Sequence, residues 1–353
     1  MPRQDFRNKP IEEVKAFLNT QRGLLPLELH CDAREMSWFD FGDMHLRETF
    51  LEISAEERLS QHADALTVVT DFDVLETPDL YVDALAPSGF IFHVGRCGST
   101  LLAKVLSSLD RHIVIKEAEP VQQLLGVEYE EVFRNKRERY FQSLLNIYGH
   151  RRLPVHERFF VKFSSNHIKR LEMIRGLYPG VPWLFLYRNP YEIIPTSLEG
   201  PAWFIRNKNT PEGAFDAALP IESVEQMSDL AFSVQVESST LRIAIDNTCD
   251  HCLFVDYTQL KPENLPRILR FFGLNVTREE YDGLVEPFGF YSKSDGESVP
   301  FVPDGAAKRD KVTDEIREAI EEELWDLYQA LHHSERNLDQ VFSDSTAGGG
   351  SRP

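Results

Sequence analysis

A short glycine-containing segment, "HVGRCGST", follows an apolar run and precedes a helical pattern. Gly95 and Gly98 allow the backbone to turn sharply after a strand. Ser99 and Thr100 then fall in the first helical turn, where unpaired N–H groups and the helix dipole favour an anion. Arg96 adds a planar charged fork that suits phosphate oxygens. These residues therefore predict a phosphate-binding loop, with an ordinary glycine-containing turn as the alternative.

The loop lacks the lysine of a nucleoside-triphosphate loop. A Walker A loop carries Lys immediately before the Ser or Thr that binds magnesium, whereas here Arg96 stands three positions before Ser99. Without the lysine and the magnesium ligand, the segment is poorly equipped to split a γ-phosphate. It is still suited to hold a terminal phosphate or phosphosulfate, and we expect no metal.

A second candidate anion site lies in "YRNPYEIIPTS". Asn189 and Pro190 predict the start of a helix. Arg188 therefore lies at the carboxyl end of a strand, where ligands bind in open α/β sheets. Thr196 and Ser197 follow two turns into the helix. Taken alone, Arg188 is better explained as a structural arginine that pairs with an exposed carboxylate.

Composition narrows the class of protein. The chain has 353 residues and a net charge of −19, which argues against general nucleic-acid binding. The charge is uneven: residues 1–85 carry a net −10, residues 86–200 a net +5, and the remainder a net −14. A local polyanionic ligand explains the basic segment, and a chance cluster around "RNKRER" on a solvated helix explains it equally well.

The sequence predicts a protein of the cytoplasm. Only four cysteines occur, which favours a reducing compartment without a disulfide framework. The charged N-terminus does not resemble a signal peptide. The longest apolar stretches, such as "VPWLFLY", are far shorter than a membrane span.

Short apolar runs alternate with helical patterns after residue 85. We predict strands at 90–94, 113–116, 158–163, 183–187 and 251–257, and helices at 99–109, 130–148, 166–177 and 222–246. This alternation indicates an α/β fold with a parallel central sheet flanked by helices.

The positions of proline and glycine, together with composition, divide the chain into three predicted segments. Residues 1–85 form a small N-terminal extension, which begins with a helix at 11–18. Residues 86–340 form the main domain, and residues 341–353 a flexible tail. Within the main domain we also predict two long loops, at 198–220 and 287–305.

The two candidate anion sites, in this order along the chain, resemble two motifs of the sulfotransferases that use 3′-phosphoadenylyl sulfate (PAPS). The resemblance covers about residues 86–335 and implies a fold like that of P-loop nucleotide-binding proteins. It implies that the loop around Cys97 holds the 5′-phosphosulfate; Arg96, Gly98, Ser99 and Thr100 match the family motif. It implies that Arg188 holds the 3′-phosphate, with the hydroxyl of Thr196 or Ser197.

Further segments resemble the same family. "KEAEPVQQLL" lies where many bacterial members have Glu-Pro, and "VDYTQLKPENLPRILRFFGL" resembles a late strand and helix. "VPDGAAKRDKV" resembles the basic loop that closes over the 3′-phosphate, which makes Lys308 and Arg309 its matching cations. Cys97 lies at a helix start, where the pKa of a thiol tends to fall, so oxidation sensitivity is a further hypothesis.

The resemblance also implies catalytic roles. Lys162, near the end of a strand, resembles the lysine that stabilises the leaving oxygen, a role that Arg96 would share. Glu119 precedes Pro120 and best fits the position of the general base. Glu117 and His167 are the alternatives for that base.

The sequence therefore predicts a PAPS-dependent sulfotransferase with 3′,5′-adenosine bisphosphate as product. The acceptor would be a hydroxyl, or an amine, of a small molecule or carbohydrate. A kinase-like enzyme that uses ATP is one alternative. The other is a catalytically silent nucleotide-binding or scaffold protein, in which residues 1–85 bind a partner.

Overall fold

The structure, a computed structural model, describes residues 2–199, 203–290, 300 and 304–342. The Cα positions divide into two compact units. The first takes its described residues from Met1–Phe90, Thr100–Ser164 and Gly176–Pro179. The second takes them from Ile91–Ser99, Ser165–Arg175 and Gly180–Pro353.

A four-stranded sheet belongs to the first unit. Its strands are β1 (Arg3–Asp5), β2 (Leu24–His30), β3 (Glu35–Asp40) and β4 (Thr67–Asp71), in the order β1-β4-β3-β2. β1 pairs parallel to β4, and the other pairs are antiparallel. The register of β2 against β3 shifts between Pro26 and Glu28, where proline has no N–H to donate.

The first unit also contains helices. They are Ile11–Thr20, Leu51–Gln61, Phe72–Glu76 (a 3₁₀ helix), Ser99–Ser107 (which begins in the second unit), Glu119–Leu125, Glu130–Phe133 and Arg137–Gly149. The Tyr148 hydroxyl donates to the Pro26 carbonyl at 2.9 Å, and Ser143 donates to the Leu75 carbonyl at 2.7 Å. Hydrogen bonds of this kind join the segment before residue 85 to the segment after residue 100.

The second unit is mainly helical. Its longer helices are Pro190–Leu198, Asp229–Asp246, Arg278–Val285, Asp314–Glu323 and Trp325–His332. Shorter α-helices are Leu171–Leu177, which ends in the first unit, Trp203–Arg206, Pro211–Ala217, Ile221–Val224, Leu265–Phe271, Gly305–Arg309 and Leu338–Val341. The 3₁₀ helices are Ser165–Arg170, Tyr257–Gln259, Pro262–Asn264 and Glu286–Gly289. A cluster of Ala217, Val224 and Phe232 forms one of its cores.

A five-stranded sheet carries the elements of interest. Its strands are β5 (Gly89–His93), β6 (His112–Lys116), β7 (Arg158–Lys162), β8 (Trp183–Tyr187) and β9 (Cys252–Asp256). The order is β6-β7-β5-β8-β9, and β6 runs parallel to β7 as β8 does to β9. β5, β6, β8 and β9 are buried along their whole length, as expected for a parallel sheet covered by helices. The predicted α/β class with a parallel sheet flanked by helices is confirmed.

Several predicted boundaries were wrong. The loop predicted at 198–220 contains the helices Trp203–Arg206 and Pro211–Ala217, the second capped by the Thr210 side chain. The helix predicted at 222–246 is interrupted, because a new helix begins at Asp229 with Ser228 as its cap. Most of the loop predicted at 287–305, and nearly all of the tail, lie outside the described residues. Within the described part of the chain, none of the helices combines the length and apolarity needed to cross a bilayer.

Candidate functional site

The glycine-containing loop turns at Gly98 as predicted, whereas Gly95, the other glycine expected to allow the turn, has no left-handed backbone. Arg96 and Gly98 adopt left-handed conformations, with φ of 57° and 86°, and a helix begins at Ser99. A Cβ atom on Gly98 would lie 2.8 Å from the Leu260 side chain and 3.2 Å from the Tyr257 ring. Gly98 is therefore required both by its backbone conformation and by the close approach of these neighbours.

The side chains of this loop divide into exposed and buried ones. Arg96 is exposed, whereas Ser99 and Thr100 are buried in the first turn of the helix Ser99–Ser107. Cys97 is buried, and its thiol donates to the Val94 carbonyl at 3.1 Å. The Cys97 side chain therefore stabilises the turn from inside.

Arg188 links several parts of the second unit. Asn189 caps the helix Pro190–Leu198 by accepting from the Tyr191 N–H at 3.0 Å, as expected, and so places Arg188 at the end of β8. The Arg188 guanidinium donates to the Arg96 carbonyl at 3.0 Å. It also lies 4.0 Å from the centroid of the Tyr257 ring. One buried arginine thereby contacts both the glycine-containing loop and the segment after β9.

Two carboxylates surround the same guanidinium. Arg188 Nε donates to Glu192 at 2.7 Å, and Arg188 Nη2 donates to Asp304 at 3.2 Å. Lys308 pairs with Asp304 at 2.9 Å, and Arg309 donates to Glu192 at 2.8 Å. The structure thus brings Lys308 and Arg309 to Arg188, which precedes them by more than a hundred residues.

Burial and charge oppose each other in this cluster. Burial lowers the pKa of the Arg188 guanidinium, but Glu192, Tyr257 and Asp304 together outweigh burial, and the net direction is upward. Burial raises the pKa of Glu192, but Arg188 and Arg309 outweigh it, and the net direction is downward. Arg188 and Glu192 are therefore both charged at neutral pH.

Thr196 and Ser197 are buried in the helix that Arg188 precedes. The Thr196 hydroxyl donates to the Glu192 carbonyl at 2.7 Å, and the Ser197 hydroxyl donates to the Ile193 carbonyl at 3.1 Å. Each hydroxyl keeps its oxygen lone pairs available and would have to rotate to donate to a ligand.

A second cluster, at the ends of β6 and β7, lies in the first unit. Lys162 ends β7, and its ammonium forms an ion pair with the Glu117 carboxylate. Ser164 donates to the same carboxylate at 3.3 Å and to the Gln122 side chain at 3.0 Å. A cation and a carboxylate thus meet in a largely buried setting, which is formed by Lys162, Glu117, Ser164 and Gln122.

The backbone of Glu117 is held in a costly conformation. Its φ is 47°, in the left-handed region that non-glycine residues rarely occupy. Its N–H donates to the Lys162 carbonyl at 2.9 Å, and its own carbonyl accepts from the Gln122 side chain at 2.6 Å. Strain of this kind persists only where the surroundings fix it, and it concentrates at functional sites.

Glu119, the base predicted from the sequence, lies in a different environment. It is half-buried at the start of the helix Glu119–Leu125. Burial raises the pKa of its carboxyl, and the nearby carboxylate of Glu52 raises it further. His167 is buried in the 3₁₀ helix Ser165–Arg170 of the second unit. The structure therefore pairs Lys162 with Glu117, which was one of the two alternatives to Glu119.

A third cluster, in the second unit, was not predicted from the sequence. Lys169 donates to the hydroxyls of Ser239 and Thr240 at 2.5 and 3.3 Å. Asp216 and Glu237 are buried close enough to affect this lysine. Burial raises the pKa of Asp216 to about 7 and that of Glu237 to about 8, against the opposing charge of Lys169. No local motif marks these residues, because they come from three separate elements.

Comparison with known proteins gives the following. No family model matches the chain, and no curated protein matches it. Among solved structures it is similar to the sulfotransferase STF1 of Mycobacterium tuberculosis H37Rv: 13% identity, 79% of this chain and 88% of that chain covered, TM-score 0.42. It is also similar to a sulfotransferase of Alicyclobacillus acidocaldarius, with 14% identity, 71% of this chain and 97% of that chain covered, and a TM-score of 0.41. Mouse sulfotransferase SULT7A1 complexed with PAP is similar at 14% identity, with 78% of this chain and 94% of that chain covered and a TM-score of 0.38.

Proposed function

We propose that the protein is a sulfotransferase that moves a sulfuryl group from PAPS to a hydroxyl or amine acceptor. The observation that carries this proposal is the position of Arg188. Its guanidinium contacts the carbonyl of Arg96, and it shares the Asp304 carboxylate with Lys308. A loop suited to one phosphate and a cluster of cations suited to another are thus joined through one side chain, which fits a nucleotide with phosphates at both ends.

The proposal divides the donor between these two parts. The backbone of Cys97 and Gly98, with the side chains of Arg96, Ser99 and Thr100, would hold the 5′-phosphosulfate. Arg188, Lys308 and Arg309 would hold the 3′-phosphate as charged donors, with Thr196 or Ser197 adding a hydroxyl. The metal-free chemistry expected from the sequence is part of the same proposal.

The transfer itself balances without a further reactant. The acceptor oxygen attacks sulfur in line, a new S–O bond forms, and the bond from sulfur to the bridging oxygen breaks. The electron pair of that bond leaves on the phosphate of 3′,5′-adenosine bisphosphate. Lys162 and Arg96 would stabilise the charge on the leaving oxygen, and a carboxylate would take the acceptor proton.

Two carboxylates fit the role of base for different reasons. Glu119 has a raised pKa, which brings its basicity closer to neutral pH. Glu117 is held beside Lys162 by a strained backbone and two hydrogen bonds. Glu119 is therefore the base that the sequence favours, and Glu117 is the base that the geometry favours.

The domain organisation, acceptor class and location predicted from the sequence belong to the same hypothesis. Residues 86–340 would carry the transfer chemistry, with residues 1–85 as an extension and 341–353 as a tail. The acceptor would be a small molecule or carbohydrate, and the protein would act in the cytoplasm, consistent with its low cysteine content.

Calorimetry tests the proposal against its alternatives. The protein should bind 3′,5′-adenosine bisphosphate tightly and ATP weakly, and a chelator should change neither affinity. Preference for ATP with magnesium would indicate the kinase-like alternative instead. Tight binding of the bisphosphate without transfer from labelled PAPS to any member of a hydroxyl and amine library would indicate the catalytically silent alternative.

A further inference from the structure

The Asp304 carboxylate occupies the space between two cations of the second unit. Its Oδ1 accepts from Arg188 Nη2 at 3.2 Å, and its Oδ2 pairs with Lys308 Nζ at 2.9 Å. A carboxylate with one oxygen on each of two cations is bound as two oxygens of a phosphate would be.

The two carboxylates around Arg188 differ in how easily they can leave. Glu192 follows Arg188 by four residues, in the first turn of the helix Pro190–Leu198, and its side chain is only 5% exposed. Asp304 is 116 residues from Arg188 along the chain, and its side chain is 41% exposed. Glu192 is therefore a fixed partner, whereas Asp304 is the one that an incoming anion can displace into solvent.

We propose that Asp304 is an internal competitor of the donor's 3′-phosphate and thereby sets the rate at which the nucleotide product leaves. This inference rests on the proposed function, because it assigns Arg188 and Lys308 to that phosphate. When the donor binds, its phosphate replaces the Asp304 carboxylate on both cations. When the product leaves, the carboxylate returns to them.

The cost of an unpaired buried charge explains why the return accelerates release. The Arg188 side chain is only 4% exposed, and a buried cation that loses its partner is strongly destabilised. Glu192 alone leaves Arg188 Nη2 without an anion once the phosphate departs. Asp304 supplies that anion as the phosphate withdraws, so the two exchange without a fully unpaired intermediate.

The charge state of Asp304 supports this exchange. Partial burial raises the pKa of the carboxyl, but Lys308 and Arg188 outweigh burial, and the net direction is downward. The side chain is therefore ionised at neutral pH, as a competitor of phosphate must be. It carries one charge against nearly two on a phosphate, so the ligand still wins when present at sufficient concentration.

Stopped-flow and equilibrium binding of 3′,5′-adenosine bisphosphate test the inference with Asp304→Asn. This variant keeps the shape of the side chain and removes its charge. We expect release about 10-fold slower and a correspondingly lower Kd, because the variant loses the charged hydrogen bonds that compete with the phosphate, and because this pair is partly exposed the effect is moderate. Adenosine 5′-monophosphate, which lacks the 3′-phosphate, should bind wild type and variant alike.

Two further variants serve as controls. Asp304→Glu keeps the charge and should release the product at a rate close to wild type. Asp310→Asn removes a charge from an exposed position of the same segment and should leave release unchanged. Circular dichroism melts establish that each variant is folded.

The outcomes separate the inference from the function on which it rests. Wild-type binding of the bisphosphate with unchanged release in Asp304→Asn rejects the inference alone, and so does equal slowing in Asp310→Asn. No binding of the bisphosphate to wild type rejects the proposed function and the inference together.

Discussion

The ammonium of Lys162 forms an ion pair with the carboxylate of Glu117, 45 residues earlier in the chain. Their strands are neighbours: β6 pairs in parallel with β7, and Lys116 is the register partner of Lys162. Glu117 therefore comes directly after the edge strand β6, next to the end of β7, where Lys162 lies. The pairing of these two strands therefore holds this ammonium and this carboxylate together.

This pair leads to a test of the base. Glu117→Gln and Glu119→Gln each remove one carboxylate while keeping its size. If Glu117 takes the proton, turnover in Glu117→Gln should fall by about 10²–10⁴ and bisphosphate binding should persist, while Glu119→Gln should be mild. Single-turnover kinetics with labelled PAPS and an identified acceptor measure both. The reverse pattern would restore Glu119 as the base, and loss only in His167→Asn would exclude both carboxylates.

Arg188 gives a second prediction. Arg188→Ala should weaken binding of 3′,5′-adenosine bisphosphate by about 1.5–3 kcal/mol more than binding of adenosine 5′-phosphosulfate, which lacks the 3′-phosphate. Some loss for the second ligand is expected as well, because Arg188 also bonds to the Arg96 carbonyl. Calorimetry of the two ligands gives the difference directly. Equal losses for both would show that Arg188 acts only by holding the loop.

The glycine-containing loop gives a third prediction with a matched control. Gly98→Ala must place a Cβ 2.8 Å from Leu260 in a left-handed conformation, which costs about 1–2 kcal/mol in backbone energy before any clash. A Cβ on Gly95 meets nothing within 4 Å. We expect Gly98→Ala to lower the melting temperature and abolish nucleotide binding, and Gly95→Ala to do neither. Similar behaviour of the two variants would contradict the structural reason given for Gly98.

Local motifs explain what the sequence could predict. The turn around Gly98, the cap at Asn189 and the strand before Arg188 each depend on a few adjacent residues. The helix Pro211–Ala217, which lies within the predicted loop at 198–220, also has a local signal, because Thr210 and Pro211 form a typical helix start. Elements of this kind are set by short-range sterics and hydrogen bonding.

Long-range packing accounts for what the sequence could not predict. The left-handed backbone of Glu117 depends on a Gln122 side chain and on a neighbouring strand. β1 has only three residues and β2 contains Pro26, so neither shows a clear strand pattern. Asp304 has no motif at all, and its contact with Arg188 exists only in the folded chain.

The last prediction concerns the buried cluster of Lys169, Asp216 and Glu237. Burial raises the pKa of Glu237 from 4.5 to about 8, so the folded protein keeps this proton over a range where the unfolded chain has lost it. The stability from this group is fully present below about pH 4.5 and is lost as pH rises to about 8, at about 1.4 kcal/mol per unit. Asp216, raised from 3.8 to about 7, acts in the same direction. The pKa of Lys169, lowered from 10.5 to about 8, acts in the opposite direction, but only above about pH 8.

Between pH 5 and pH 8 the free energy of unfolding should therefore fall by a few kcal/mol less in Glu237→Gln than in wild type. Glu222→Gln, at an exposed position, is the control. Urea unfolding at several pH values measures the slopes, and parallel slopes for wild type and Glu237→Gln would show that the buried carboxyl does not hold its proton.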